Sequence, residues 1–193
     1  MRTFIALNLS PERRDALHAA AESLRETLGR GVSWVQPANL HLTLKFLGDR
    51  PDDVPARLAA RLAPALRRLH PLVLAIGGVG AFPSLQRPRV LWIGVAANST
   101  LDRLYHDVEA ACAELGVPHE SRPFHPHVTL GRVRDGARID GAALAQAAHS
   151  VKFRADERVT TLDVMESVLG PGGAQYRVAE AIPLGDGGER KEA

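Results

Sequence analysis

The chain has a single cysteine, Cys112, in 193 residues, which excludes an internal disulfide framework and suits a reducing compartment. Cys112 lies in an apolar-periodic stretch and is not expected to act as a nucleophile. No apolar run approaches the roughly 18 residues that a membrane-spanning helix needs. The longest weakly polar stretch, residues 71–83, is interrupted by Gly77, Gly78 and Gly80. Those glycines lack the lysine and following helix of a phosphate loop. The opening residues Met1 to Asn8 break their apolar run too early for a signal peptide and read as a first strand, so a cytoplasmic protein is expected. Charge is nearly balanced, with 24 basic against 22 acidic residues and a formal net charge of +2, and any preference for anions must be local.

The hydrophobic fraction, 45%, suffices for one core, so residues 1–184 are expected to form one domain, with 185–193 a disordered tail. Ser10-Pro11-Glu12 predicts a helix start, running to about Leu28. Ser33 to Val35 is β-prone, and His41 to Leu47 alternates as a strand until Gly48 and Asp49. Asp52 to Leu69 predicts a helix with Leu58, Leu62, Leu66 and Leu69 on one side and a kink or break at Pro64. Leu72 to Phe82 and Val90 to Ala96 predict antiparallel neighbours. Asn98 caps a further helix that ends at Gly116. A strand from His127 to Val133, a short helix near Gly141 to Ala148 and strands near 151–155, 159–168 and 175–182 complete the chain. Strands in runs with a few helices indicate an α+β fold with largely antiparallel sheets.

The chemistry concentrates in a repeat. His41-Leu42-Thr43-Leu44 recurs as His127-Val128-Thr129-Leu130, displaced by 127 − 41 = 86 positions, so two related lobes facing one another are expected. Strand alternation puts His41, Thr43 and Lys45 on one side and Leu42, Leu44 and Phe46 on the other. Displacement at phosphorus requires an entering oxygen to lose a proton and a leaving oxygen opposite it to gain one. Imidazole titrates near neutrality and does either job. One neutral and one protonated histidine then suffice without a metal or other cofactor, and threonine hydroxyls can donate to the non-bridging oxygens. A metal site at His125 and His127 is the competing reading. Pro126 between them and the lack of nearby Cys, Asp or Glu weaken it.

Phe4-Ile5-Ala6, the run Asn39 to Gly48 and the run Arg122 to Arg132 together resemble the two-histidine (2H) phosphoesterase superfamily. Within it, they resemble the RNA 2′,3′-cyclic phosphodiesterases once called 2′-5′ RNA ligases. The resemblance implies a bilobal fold in which two mostly antiparallel sheets face a central groove, with helices on the outer faces. It implies hydrolysis of a terminal RNA 2′,3′-cyclic phosphate to a 2′-phosphate, with 2′-5′ joining as related reverse chemistry. His41 becomes the proton donor and His127 the proton acceptor, with Thr43 and Thr129 binding phosphate. The implied partner is an RNA end, tRNA-like or a fragment, acted on by a monomer with no membrane or metal involved. The family places an arginine at Arg132 near the phosphate, yet strict alternation turns it away from His127, so a bulge, a strand end or a side chain reaching round is needed. His125 is a flanking residue in reach of substrate, Arg122 contacts RNA or a carboxylate, and Phe46 packs the core or stacks a base. A non-catalytic RNA-end binding module and the same chemistry on a small cyclic nucleotide are the alternatives.

Overall fold

The computed structural model describes residues 1–70, 72–170 and 173–185. Strand β1 (Arg2–Asn8) is buried from Thr3 to Leu7, which requires a partner on each edge. It has β3 (His41–Asp49) on one side and β8 (Thr161–Gly170) on the other. Helix α1 (Pro11–Ala20) begins where the Ser10 hydroxyl accepts from the Arg13 N–H, with Pro11 at its first position. The single helix expected to reach Leu28 is two, because the chain bends at Ala21 before α2 (Glu22–Leu28). The bend leaves Leu17, Leu24 and Leu28 all buried.

Helix α3 (Val54–Leu66) buries Leu58, Leu62 and Leu66 as the spacing predicted. It runs through Pro64 without breaking. Pro64 is two residues from the helix end, where losing one backbone donor interrupts little of the ladder. After β4 (Leu72–Pro83) and β5 (Pro88–Val95), α4 (Ser99–Glu114) is capped by Asn98, whose side chain accepts from the Leu101 N–H at 2.9 Å. Strand β6 (His127–Val133) precedes α5 (Gly141–Ser150), and β9 (Gly173–Pro183) follows β8. Strand β7 (Arg154–Val159) lies later than the apolar pattern indicated. Its inward position Glu157 is a carboxylate, buried because the Ser10 N–H donates to it at 2.6 Å and Arg13 pairs with it at 3.2 Å, so hydrophobic alternation did not reveal the strand. Of the expected tail, Gly185 donates its N–H to the Leu66 carbonyl at 2.9 Å, and residues 186–193 lie outside the described residues.

The strands are ordered β7-β4-β5-β6-β3-β1-β8-β9, every neighbour antiparallel, with β2 (Val32–Trp34) added on β6. The α+β, largely antiparallel architecture is as expected. The two halves, β7-β4-β5-β6 and β3-β1-β8-β9, meet through one residue pair, Leu42 opposite Val128. These are the same position in the two motifs. The likeness extends to the neighbours: Leu7 pairs with Leu42 and Asn8 with His41, while Ile93 pairs with Val128 and Gly94 with His127. Helix α3 packs on β9, α4 on β3 and α5 on β4.

Both motif strands also carry the same irregularity. The β1–β3 register passes from Thr43 to Lys45 over Leu44, and the β5–β6 register passes from Thr129 to Gly131 over Leu130. A bulge of one residue reverses which face each later side chain takes. Beyond the second bulge, Gly131 turns inward at a close approach, where an added Cβ would meet Val32 Cγ1 at 2.6 Å and the Ser33 carbonyl at 3.2 Å. Gly131→Val is therefore expected to cost roughly 1–3 kcal/mol through overpacking, read as a lower urea midpoint; an unchanged midpoint would show that β2 yields freely.

Candidate active site

Leu42 and Val128 are fully buried where the halves join. Their strand neighbours His41, Thr43, His127 and Thr129 therefore project from the opposite face, and each is half-buried. With Leu42 opposite Val128 in antiparallel register, His41 lies across from Thr129 and Thr43 across from His127. The fold thus brings the four motif residues to one patch.

Each imidazole is held the same way. His41 Nδ1–H donates to the Asn39 carbonyl at 2.8 Å, and His127 Nδ1–H donates to the His125 carbonyl at 2.7 Å. A carbonyl only accepts, so in both neutral rings the hydrogen sits on Nδ1 and Nε2 carries the lone pair. His41 Nε2 accepts from the Thr43 hydroxyl at 2.9 Å. Burial pushes His41 down to about 4, opposed by the Asn39 carbonyl and reinforced by the positive charge of Arg14 and by His127. Burial also lowers His127, with the His125 carbonyl opposing and His125 and Arg132 adding to the effect. Without a ligand, both rings are neutral at pH 7. An anion between them would raise both.

Aromatic rings wall each histidine. Phe4 lies 5.0 Å from His41 and Tyr176 lies 5.5 Å from it, ring centre to ring centre. Phe82 and Trp92 stand 5.1 and 6.3 Å from His127. Tyr176, Phe82 and Trp92 were not among the expected site residues. No motif marked them, because an aromatic on a strand looks the same whether it faces a core or a cleft. A cleft of about 420 Å³ is lined by His41, Thr43, Phe46, Thr129, Arg132 and Tyr176, among others. His127 is not part of that lining. It lies beside His125, which packs on Phe82 and Trp92 at 5.3 and 5.0 Å and lines a separate cavity with Trp92 and Gly94.

The two bulges correct the placement of Lys45 and Phe46 by alternation and supply one of the routes that Arg132 required. Lys45, placed by alternation beside His41, turns inward and is only 6% exposed. Its Nζ donates to the Pro118 carbonyl at 2.7 Å and lies 2.7 Å from Glu109 Oε1. Phe46 leaves the apolar side and is 66% exposed at the cleft. Arg132, its counterpart after the second bulge, comes to the cleft by the bulge that alternation had lacked. Arg122 is not brought to the cleft; it is exposed and pairs with Glu120 at 3.3 Å. Burial acts to raise the Glu109 carboxyl, but Lys45 and the Glu120 N–H together hold it below the usual carboxylate range. Glu109 Oε2 also lies 3.1 Å from His119 Nδ1 and 3.1 Å from the Glu120 N–H. Lys45 and Glu109 thereby tie the first motif to the segment leading into the second.

Among the described residues, no three His, Cys, Asp or Glu side chains gather as a metal-ligand cluster. No helix among them is long and apolar enough to cross a membrane.

A family model described as the 2′-5′ RNA ligase superfamily matches residues 11–171. The chain is 32% identical over 174 residues to an RNA 2′,3′-cyclic phosphodiesterase of Aquifex aeolicus, covering 88% of this chain and 92% of the other. It is also 32% identical over 177 residues to one of Archaeoglobus fulgidus, covering 92% and 97%. The crystal structure of TT0787 of Thermus thermophilus superposes with a TM-score of 0.78 at 32% identity, over 98% of this chain and all of that one. E. coli LigT complexed with 3′-AMP gives a TM-score of 0.74 at 27% identity, over 95% and 97%.

Two measurements test this geometry. His41 binds its proton more weakly folded than unfolded, so between about pH 6.5 and about pH 4 the unfolded chain holds more protons. Stability should fall through that window as pH drops, by up to about 3 kcal/mol from this one group, and His41→Gln should flatten the dependence. Equal pH slopes for parent and variant would refute the buried neutral ring. Lys45→Met leaves the Glu109 carboxylate buried without its cation, an expected loss of about 3 kcal/mol in urea unfolding; a neutral result would place that carboxylate in solvent.

Proposed function

The chain belongs to the 2′-5′ RNA ligase superfamily, and from that premise we propose that its cleft opens the 2′,3′-cyclic phosphate at an RNA end, as an RNA 2′,3′-cyclic phosphodiesterase. Its relatives over nearly the whole chain bear that name. The observation that supports it most is the matched pair of imidazoles, each fixed through Nδ1 by a backbone carbonyl two residues earlier. A module that only binds has no need for two such rings with two threonines beside them, so the binding-only reading is not favoured.

In the proposed reaction water attacks phosphorus, and its proton passes to His127 Nε2. The bond from phosphorus to the 3′ oxygen breaks, and protonated His41 gives its Nε2 proton to that oxygen, leaving a 3′-hydroxyl and a 2′-phosphate. The donor role of His41 follows the resemblance, and its depressed pKa means that the ring must gain its proton when substrate binds. The phosphodiester anion restores the proton that the unliganded site does not hold. Thr43 and Thr129 donate to the non-bridging oxygens, and Arg132 offsets the charge that builds there. Phe46, exposed at the cleft, offers a face for a base, and His125 flanks its own motif's histidine. Arg122, paired with Glu120, is left to the RNA outside the cleft.

The same two-histidine path with a 5′-hydroxyl in place of water joins two ends as a 2′-5′ bond, the hydroxyl's proton passing to His127 as the 3′ oxygen leaves with a proton from His41. The reaction is proposed to be metal-independent and carried out by a monomer, on tRNA-like ends or fragments. A cytoplasmic setting is proposed because the buried Cys112 thiol, pushed up to about 11 by burial, has no cysteine partner.

Changing either His41 or His127 to alanine should lower hydrolysis of a cyclic-phosphate oligonucleotide by about 10² or more, and retention within tenfold would exclude the assignment. Both free-site pKa values lie below the ordinary histidine range. The bell for kcat/KM should therefore centre below about pH 6.5. The bell for kcat should lie at higher pH, since bound phosphate raises both rings. Coincident bells would contradict the anion's role. Chelation should leave the rate unchanged, and loss restored by a divalent cation would overturn the metal-free mechanism.

A further inference from the structure

Several exposed arginines are matched by carboxylates: Arg57 faces Asp53, Arg61 faces Glu114 and Arg122 faces Glu120. One groove gathers three that are not. At the far end of β6, between the β4–β5 turn and the segment leading to α5, a groove of about 590 Å³ is lined by Arg87, Arg89 and Arg134 and by no carboxylate. All three are exposed, and among the described residues none forms an ion pair. Of the nearby acids, Asp140 is engaged at the α5 N-terminus, accepting from the Ala142 and Ala143 N–H groups at 2.9 and 3.1 Å. Asp135, exposed beside Arg134, does not line the groove.

The groove is built on fixed backbone. The Arg134 N–H donates to the Gly31 carbonyl at 2.9 Å, and the Ala137 N–H donates to the Arg134 carbonyl at 3.1 Å. The turn bearing Arg87 docks on the start of α5 so closely that a Cβ on Gly141 would meet Gln86 Cα at 2.9 Å. The remaining walls include Pro83, Pro88, Gly136 and Ala137, with no aromatic side chain on which a base could stack. Such a lining reads phosphate charge, not base identity. The groove and the cleft lie along the same stretch of chain: Arg132 lines the cleft and Arg134, two residues on, lines the groove.

A 2′,3′-cyclic phosphate is a 3′ end, so any polynucleotide attached to it leaves the cleft in the 5′ direction. We propose that the Arg87, Arg89 and Arg134 groove holds the phosphodiester backbone of the RNA upstream of the cyclic end, making the enzyme selective for polynucleotide ends over mononucleotides. The inference rests on the RNA-end reading of the cleft. The seven steps from His127 along β6 to Arg134, one residue past its end, span roughly 23 Å, about seven stacked nucleotides at ~3.4 Å each. Substrates of one to three nucleotides fall short of the groove.

The test compares the parent with the triple variant Arg87→Glu, Arg89→Glu, Arg134→Glu, and with the triple alanine variant should charge reversal lower the melting temperature. The substrates are a 2′,3′-cyclic mononucleotide, a trinucleotide and a 15-nucleotide RNA with the same cyclic end, each across a salt series. The expected result is kcat/KM within twofold of the parent on the two short substrates and at least tenfold lower on the 15-mer, carried by KM. The slope of log kcat/KM against log salt on the 15-mer should become shallower by about two, at ~0.7 per phosphate contact for a single strand. Equal losses on short and long substrates, or no loss on the 15-mer, would overturn the groove's role. Binding of a 15-mer ending in a 3′-hydroxyl, weaker in the variant than in the parent, reads the groove even where the parent fails to turn over any cyclic end, so failure of the catalytic reading is told apart from failure of this one.

Discussion

The site depends on one contact, the bridge between Leu42 and Val128. It is the only residue pair through which the two four-stranded halves share their sheet among the described residues. Both side chains are buried completely, and the period of two along a strand then leaves the flanking histidines and threonines no face but the opposite one. Apolar burial at the centre thus orients the polar groups around it. Because the bridged residues are equivalent positions of a repeat, their neighbours meet as two opposed copies, which suits a displacement with one proton delivered and one removed.

The repeated bulge adds what alternation cannot. Without it, Lys45 would lie on the same face as His41, and Arg132 would point into the core. With it, Lys45 finds Glu109 and the Pro118 carbonyl, while Phe46 and Arg132 reach the cleft. The two halves use equivalent positions differently. One supplies an apolar ring and the other a cation, so an approximate symmetry of backbone carries an asymmetric surface, fit for a substrate with a base on one side and a phosphate beside it.

Much of this was legible in the residues. The paired His-x-Thr motifs, the strand His127 to Val133 and the caps at Ser10 and Asn98 follow from local rules that the packing does not override. What was hidden had a physical reason in each case. Strand β7 was shifted because its inward residue is Glu157, acceptable inside only through Arg13 and the α1 N-terminus. The fates of Lys45, Phe46 and Arg132 turned on bulges that depend on pairing partners far along the chain. Tyr176 and Phe82 became neighbours of the histidines only once distant strands were adjacent.

Burial gives the site its electrostatic character. It removes the proton from both rings in the unliganded cleft and so makes the phosphodiester's own charge part of the catalytic state. The central claim is that one phosphorus is worked from two sides by His41 and His127. A crystal structure with a non-hydrolysable analogue of an RNA 2′,3′-cyclic phosphate end tests it most directly. The account predicts His41 Nε2 within hydrogen-bond distance of the 3′ oxygen, and His127 Nε2 on the opposite side of the phosphorus, in line with it. A phosphate held by only one of the two rings would contradict it.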